Sequence, residues 1–220
     1  MFEATEITHQ NNDWITLVFL FIFIVLTLLK VLFKDRLLHE NTFFFSKKYL
    51  SIYYNKEKGN IFNLFQTLFF IVQLLGLSLL FYFINIHFQF QPKLLNFQGY
   101  ILIFLGVSSY FSLRYLTGLF LSFLLNTKNE FNKIVYDKMS YSRNLILWIL
   151  PFLVLSVYLS EYKELLFEIT FLLFLLVLIL RYVLILINNK NLIYNNLFYF
   201  ILYLCALEIA PLIIVLKLTI

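Results

Sequence analysis

Apolar residues come in long runs rather than in alternating or heptad patterns. Positions 14–33, 61–86, 100–125, 165–187 and 197–216 are filled by Leu, Ile, Val and Phe with few interruptions. A helix needs about 20 such residues to cross roughly 30 Å of hydrocarbon. Each run therefore predicts a transmembrane helix. A shorter run at 145–160 predicts another span, with Pro151 near its first turn, where a helix tolerates proline. The expected fold is all-α: one integral membrane domain over 1–220, built as a bundle of about six transmembrane helices.

The polar stretches between the runs set the orientation. Lys34, Arg36, Lys47, Lys48, Lys56 and Lys58 fall in the first, Lys128, Lys133, Lys138 and Arg143 in the third, and Lys190 in the fifth. The opposite side has only Lys93, Lys163 and the near-terminal Lys217. Lys and Arg concentrate in cytoplasmic loops, so the richer side is expected to face the cytoplasm. With an even number of spans, both termini are then periplasmic. The segment before Trp14 holds Glu3, Glu6 and Asp13 and no Lys or Arg, so the first run does not look like a cleavable signal peptide.

Segment 34–60 is more than a linker. Phe43, Phe44, Phe45 and Tyr49 interleave with Lys47 and Lys48. Aromatic rings suit headgroup depth and lysines favour anionic lipid, so this segment is expected to lie as an amphipathic helix on the cytoplasmic surface. It is too short and too closely tethered to the membrane for nucleic acid to be the expected partner.

Composition supports the class. Of 220 residues, 62% are hydrophobic and 13% charged, and the mean hydropathy is +0.86. A soluble domain carries nearer a quarter charged residues. The 28 Phe and 15 Tyr fit an AT-rich coding bias and need no ligand to account for them. The single cysteine, Cys205, has no partner for an intramolecular disulfide.

Polar residues inside the runs are the informative ones, because a charge at mid-bilayer costs roughly 2.5–3.5 kcal/mol on insertion scales. Arg114, Glu208 and Gln73 each fall about 11–12 residues from the cytoplasmic end of their spans, a depth of roughly 17 Å. The spacing predicts one buried polar layer in which Arg114 and Glu208 face each other. Pro211 cannot donate to the carbonyl of Leu207 and should kink the last span beside Glu208. Arg181, nearer its span's end, is expected to reach the headgroups.

The run Leu113-Arg114-Tyr115-Leu116-Thr117-Gly118 and the tail Tyr203-Leu204-Cys205-Ala206-Leu207-Glu208-Ile209-Ala210-Pro211-Leu212 resemble a family of uncharacterised integral membrane proteins of Bacteroidota. The resemblance spans most of the chain. It implies an inner-membrane location and weight on Arg114 and Glu208, and carries no activity.

Several chemistries are not expected. His9, His39 and His87 fall in termini and loops, so no histidine metal or haem site is predicted, and no cofactor is expected. Asp13, Asp35 and Asp137 all fall outside the predicted spans, which argues against an intramembrane aspartyl protease. Ser108 and Ser109 have no evident base, and no phosphate loop, dinucleotide fingerprint or zinc spacing occurs. The leading expectation is a non-enzymatic subunit or assembly factor of an envelope complex, for instance in protein secretion or transport, with lipids and other membrane subunits as partners. The alternative is a small transporter or proton-conducting component using Glu208 and Arg114. A lipid- or quinone-linked enzyme comes third.

Overall fold

A computed structural model of the chain describes residues 13–34, 36, 63–88, 91, 96–124, 128–159 and 162–188. They form five helices: α1 (Asp13–Leu32), α2 (Leu64–Phe88), α3 (Phe97–Leu124), α4 (Lys128–Tyr158) and α5 (Lys163–Asn188). All five are long and apolar enough to cross a membrane, as in a multi-pass membrane protein. The sixth expected span, 197–216, lies outside the described residues, as does the interfacial segment apart from Lys34 and Arg36.

Contacts between helices fix their register. Trp14 stacks on Tyr82 at 5.1 Å and Phe33 on Phe65 at 5.3 Å, so α1 and α2 are antiparallel. The Tyr100 hydroxyl pairs with that of Ser78 at 3.2 Å, and Phe111 meets Phe70 at 6.0 Å, so α3 is antiparallel to α2 as well. Gly76 faces Ile146, and Arg143 lies by Phe65 and Phe69 nearer the start of α2, so α4 is parallel to α2. Arg181 donates to the Lys138 carbonyl at 3.3 Å across the antiparallel α4–α5 pair. One end of the bundle thus gathers the end of α1, the start of α2, the end of α3, the start of α4 and the end of α5. Among the described residues it carries most of the lysines and arginines, and we call it the basic end.

The core forms around α2. Ile15, Phe19, Ile22, Val25 and Leu29 make the buried stripe of α1 at helical spacing, while Leu17, Leu20 and Ile24 on its other faces stay exposed, as lipid-facing residues do. Phe65, Phe69, Val72 and Leu79 of α2 are fully buried. At its far end α2 is closed by Asn85, whose side chain both donates to the Gln91 carbonyl and accepts from the Gln91 amide.

The fourth span departs from expectation. Residues 128–143, read as a cytoplasmic loop, are helical, and α4 runs 31 residues without a break. No Gly or Pro interrupts 128–150, so nothing stops the helix. Much of its charged half is not solvated either: Tyr136, Asp137, Ser140, Tyr141, Ser142, Arg143 and Asn144 are all buried, while Lys133 is exposed. The short apolar run was therefore only the upper half of a span whose lower half is polar and packed inside the bundle. Pro151 accordingly sits deep in the helix rather than in its first turn, on an exposed face where α4 passes through it.

Helix α1 serves as a ruler, since its 20 residues span about 30 Å, one hydrocarbon thickness. Its basic end, at Leu32 to Lys34, lies level with the first turn of α2 through the Phe33–Phe65 contact. Helices α3 and α4 continue beyond that level by roughly 10–15 Å.

Gly76 and Gly106 separate close packing from open space. A Cβ on Gly76 would meet Ile146 Cγ2 at 3.2 Å, whereas one on Gly106 would meet nothing within 4 Å. Gly76→Ala should lower the stability of the detergent-solubilised protein by about 1 kcal/mol and Gly76→Leu by about 3 kcal/mol. Gly106→Ala should be neutral or gain up to about 1 kcal/mol from helix propensity. Thermal unfolding read by circular dichroism checks all three; equal losses at both glycines would contradict the α2–α4 contact.

Candidate functional site

Near the basic end, α2, α3, α4 and α5 enclose a cavity of about 250 Å³. Each helix presents one face to it. Gln66, Phe70 and Gln73 follow the i, i+4, i+7 spacing of α2, and Phe131, Val135, Lys138 and Ser142 do the same along α4. Phe111, Arg114 and Tyr115 lie on one side of α3, and α5 contributes Arg181. The result is a mixed lining. Three cations from three helices meet two amides, a few hydroxyls and a wall of rings, with Phe70 and Phe111 stacked edge to face.

The cations share a level. In the register set by Phe70–Phe111 and Ser78–Tyr100, Arg114 stands opposite the first turn of α2. Arg181 is held to the Lys138 main chain, and Lys138 in turn lies close to that level by the Gly76–Ile146 match. Gln73 lines the same cavity about two turns farther from the basic end. The expected single layer at mid-depth is therefore corrected to a slanted one, because α3 extends well past the start of α2. Arg114 lies near the end of the α1 ruler rather than halfway along it.

Behind the cavity sits a second group of basic residues. Arg143 is 2% exposed, and its guanidinium carbon lies 5.6 Å from the Phe65 ring centre and 5.9 Å from that of Phe69. Arg36 approaches Phe65 at 4.0 Å. Two guanidiniums thus draw on the electron-rich surface of one buried ring, an interaction worth about 0.5–2 kcal/mol each. Side chains of a helix lean toward its N-terminus, which aims Arg143 toward the basic end.

Of the residues singled out from sequence, Arg114 and Gln73 meet in the cavity. Glu208, Pro211, Phe43, Phe44, Phe45, Tyr49, Lys47 and Lys48 lie outside the described residues. Arg181, expected at the headgroups, is half-buried and lines the cavity. Lys138, Ser142, Arg143 and Asp137 were missed because they fell in a supposed loop. The signal available was the absence of breakers together with Tyr136, Ser140 and Arg143 at i, i+4, i+7.

Two exclusions change their footing. Asp137 lies within the candidate membrane span Phe131–Tyr158 and is buried, so that span does contain an aspartate. The only other described aspartate, Asp13, opens α1 at the opposite end of the bundle, and no dyad forms between them. His87 belongs to the last turn of α2 rather than to a loop, and its ring stacks on Phe167 at 4.6 Å. Among the described residues no cluster of His, Cys, Asp or Glu could hold a metal ion. Ser109 spends its hydroxyl on the Gly106 carbonyl at 2.9 Å.

A protein-family comparison matches residues 15–219 to a domain of unknown function, DUF4271, and the chain belongs to that family. Searches of curated proteins and of solved structures gave no match.

Adjacent residues of α4 should respond in opposite ways. The Asn144 side-chain oxygen is buried without a hydrogen-bond partner, so Asn144→Leu should be neutral or stabilise by about 1 kcal/mol. Arg143→Leu forfeits the contacts with Phe65 and Phe69 and should destabilise by about 2 kcal/mol. Paired thermal unfolding curves decide; a loss at Asn144 as large as that at Arg143 would contradict the packing.

Proposed function

We propose that this family member is a non-enzymatic subunit or assembly factor of a larger complex in the bacterial inner membrane. In this reading the basic end faces the cytoplasm, in keeping with the distribution of Lys and Arg, and α3 is the surface that holds the partner. The observation that carries it is a mismatch within α3. This helix is no more apolar along its membrane stretch than α4, yet only 6% of that stretch is buried, against 61% for α2 and α4. Lipid disfavours such an arrangement, since polar helices gain by facing protein.

The exposed face of α3 mixes Gly106, Ser109, Ser112 and Thr117 with Leu105, Leu113 and Leu116. Small residues let another helix approach closely. Toward the basic end the same face carries Leu116, Phe120 and Phe123, the last 84% exposed. By the α1 ruler these lie beyond the hydrocarbon, where an uncovered apolar patch marks an interaction surface. A second membrane protein with a helix along α3 and an apolar contact at Phe123 satisfies both halves of the face.

The cavity favours a second reading, a small transporter with Arg114 on the path. The two readings separate in one set of experiments. A photo-reactive phenylalanine analogue in place of Phe120 or Phe123 should give, in native membranes, one discrete adduct with another membrane protein, and the same analogue at Leu20 of α1 should give none. Adducts confined to lipid or to the chain's own segment 197–216 would refute the subunit reading. Ion flux through liposomes holding the protein alone, abolished by Arg114→Gln, would favour transport instead.

A further inference from the structure

We propose that the cavity at the basic end is a headgroup site for an acidic phospholipid, with the lipid phosphate held among Arg114, Lys138 and Arg181. Four observations converge on it. The lining holds three cations, and they come from three separate helices. Such a cradle meets an anion from several sides, the arrangement in which charge-assisted hydrogen bonds are strongest.

The second observation is depth. The cation level coincides with the basic end of α1, about 30 Å from the far end of α2. Lipid phosphates lie just outside the hydrocarbon, so the cradle stands where a headgroup already is. The third is the wall. Phe70, Phe111 and Met139 line the cavity alongside the cations. Inorganic phosphate would lose its hydration against these side chains, whereas a lipid brings apolar atoms to meet them.

The fourth is an exit for the acyl chains. The cavity is lined by exposed Thr67 and Ser112 as well as by buried residues, so it opens to the surface of the bundle. A cavity of about 250 Å³ holds a headgroup and not a whole lipid, so the chains would lie outside it. The lipid would join α2, α3, α4 and α5 where their polar residues converge. The inference does not depend on what covers α3.

Native mass spectrometry of the full-length protein in mild detergent tests the site. Phosphatidylglycerol, phosphatidylcholine of the same chain length and inorganic phosphate are the three probes. Phosphatidylglycerol adducts should dominate, and Arg114→Gln or Arg181→Gln should each cut their occupancy by about fivefold to tenfold. Lys138→Arg should retain them, and so should Lys163→Gln at the opposite end. Thermal unfolding without added lipid shows whether each variant folds. If a Gln variant does not, the preference of the unaltered protein for phosphatidylglycerol over phosphatidylcholine, with retention in Lys138→Arg, still decides.

Equal binding of the two lipids, or folded Gln variants with full occupancy, would overturn the proposal. Displacement of phosphatidylglycerol by equimolar inorganic phosphate would also overturn it, showing a site for a free anion. Recovery of folding when Arg114→Glu is combined with Glu208→Arg, with no lipid preference in the unaltered protein, would assign the cavity to the chain's own carboxylate.

Discussion

Water does not reach the middle of an apolar helical bundle, so each polar side chain placed there must be met by another helix. In this protein that demand falls on the first half of α4. Seven of the nine positions 136–144 bear on it: Tyr136, Asp137, Ser140, Tyr141, Ser142, Arg143 and Asn144 are buried, and only Lys138 and Met139 between them are partly open. A stretch this polar would be expelled from lipid if it faced outward. It can stay only because α2 supplies rings and amides on one side and α5 supplies Arg181 on another. The parallel placement of α2 and α4, tight enough at Gly76 for Ile146 to lie against bare backbone, is what brings those partners within reach.

The other helices arrange themselves around that constraint. Helix α1 covers α2 with an apolar stripe, meets the end of α4 where the Tyr158 hydroxyl donates to that of Thr16, and leaves much of its remaining surface exposed. Helix α5 packs against α4 and anchors it by a side chain to a main-chain carbonyl. Helix α3 leans on α2 through Phe111 and Tyr100 and holds Arg114 over the polar half of α4. The cavity is what remains where four helices bring polar groups together without filling the space. Its cations sit at one level, which by the length of α1 is the height at which lipid itself changes from chain to headgroup.

Hydropathy made the positions of α1, α2, α3 and α5 legible to within a few residues, because each is a long apolar run with charged ends. It failed at α4, where burial is achieved by pairing rather than by apolarity. Lys133, Asp137, Lys138 and Arg143 read as a loop to any scale that scores residues singly, and only the lack of Gly and Pro hinted at continuous helix. The cavity was half visible. Arg114 and Gln73 stood out against apolar neighbours, but their relative depth could not be read from span ends, since α3 overshoots α2. Lys138 and Ser142 carried no signal of their own and join the site only through the register of α4 with α2 and α5.

The burial of that polar half is open to direct measurement. In a Cys205→Ser background, single cysteines at Lys133, Ser140, Tyr141 and Asn144 can be timed for reaction with a hydrophilic maleimide in detergent. Lys133, which is exposed, should react quickly, while Ser140, Tyr141 and Asn144, each under 5% exposed, should react only after unfolding. Fast labelling at all four positions would show that the segment is a solvated loop, and the packed polar helix on which the rest depends would have to be given up.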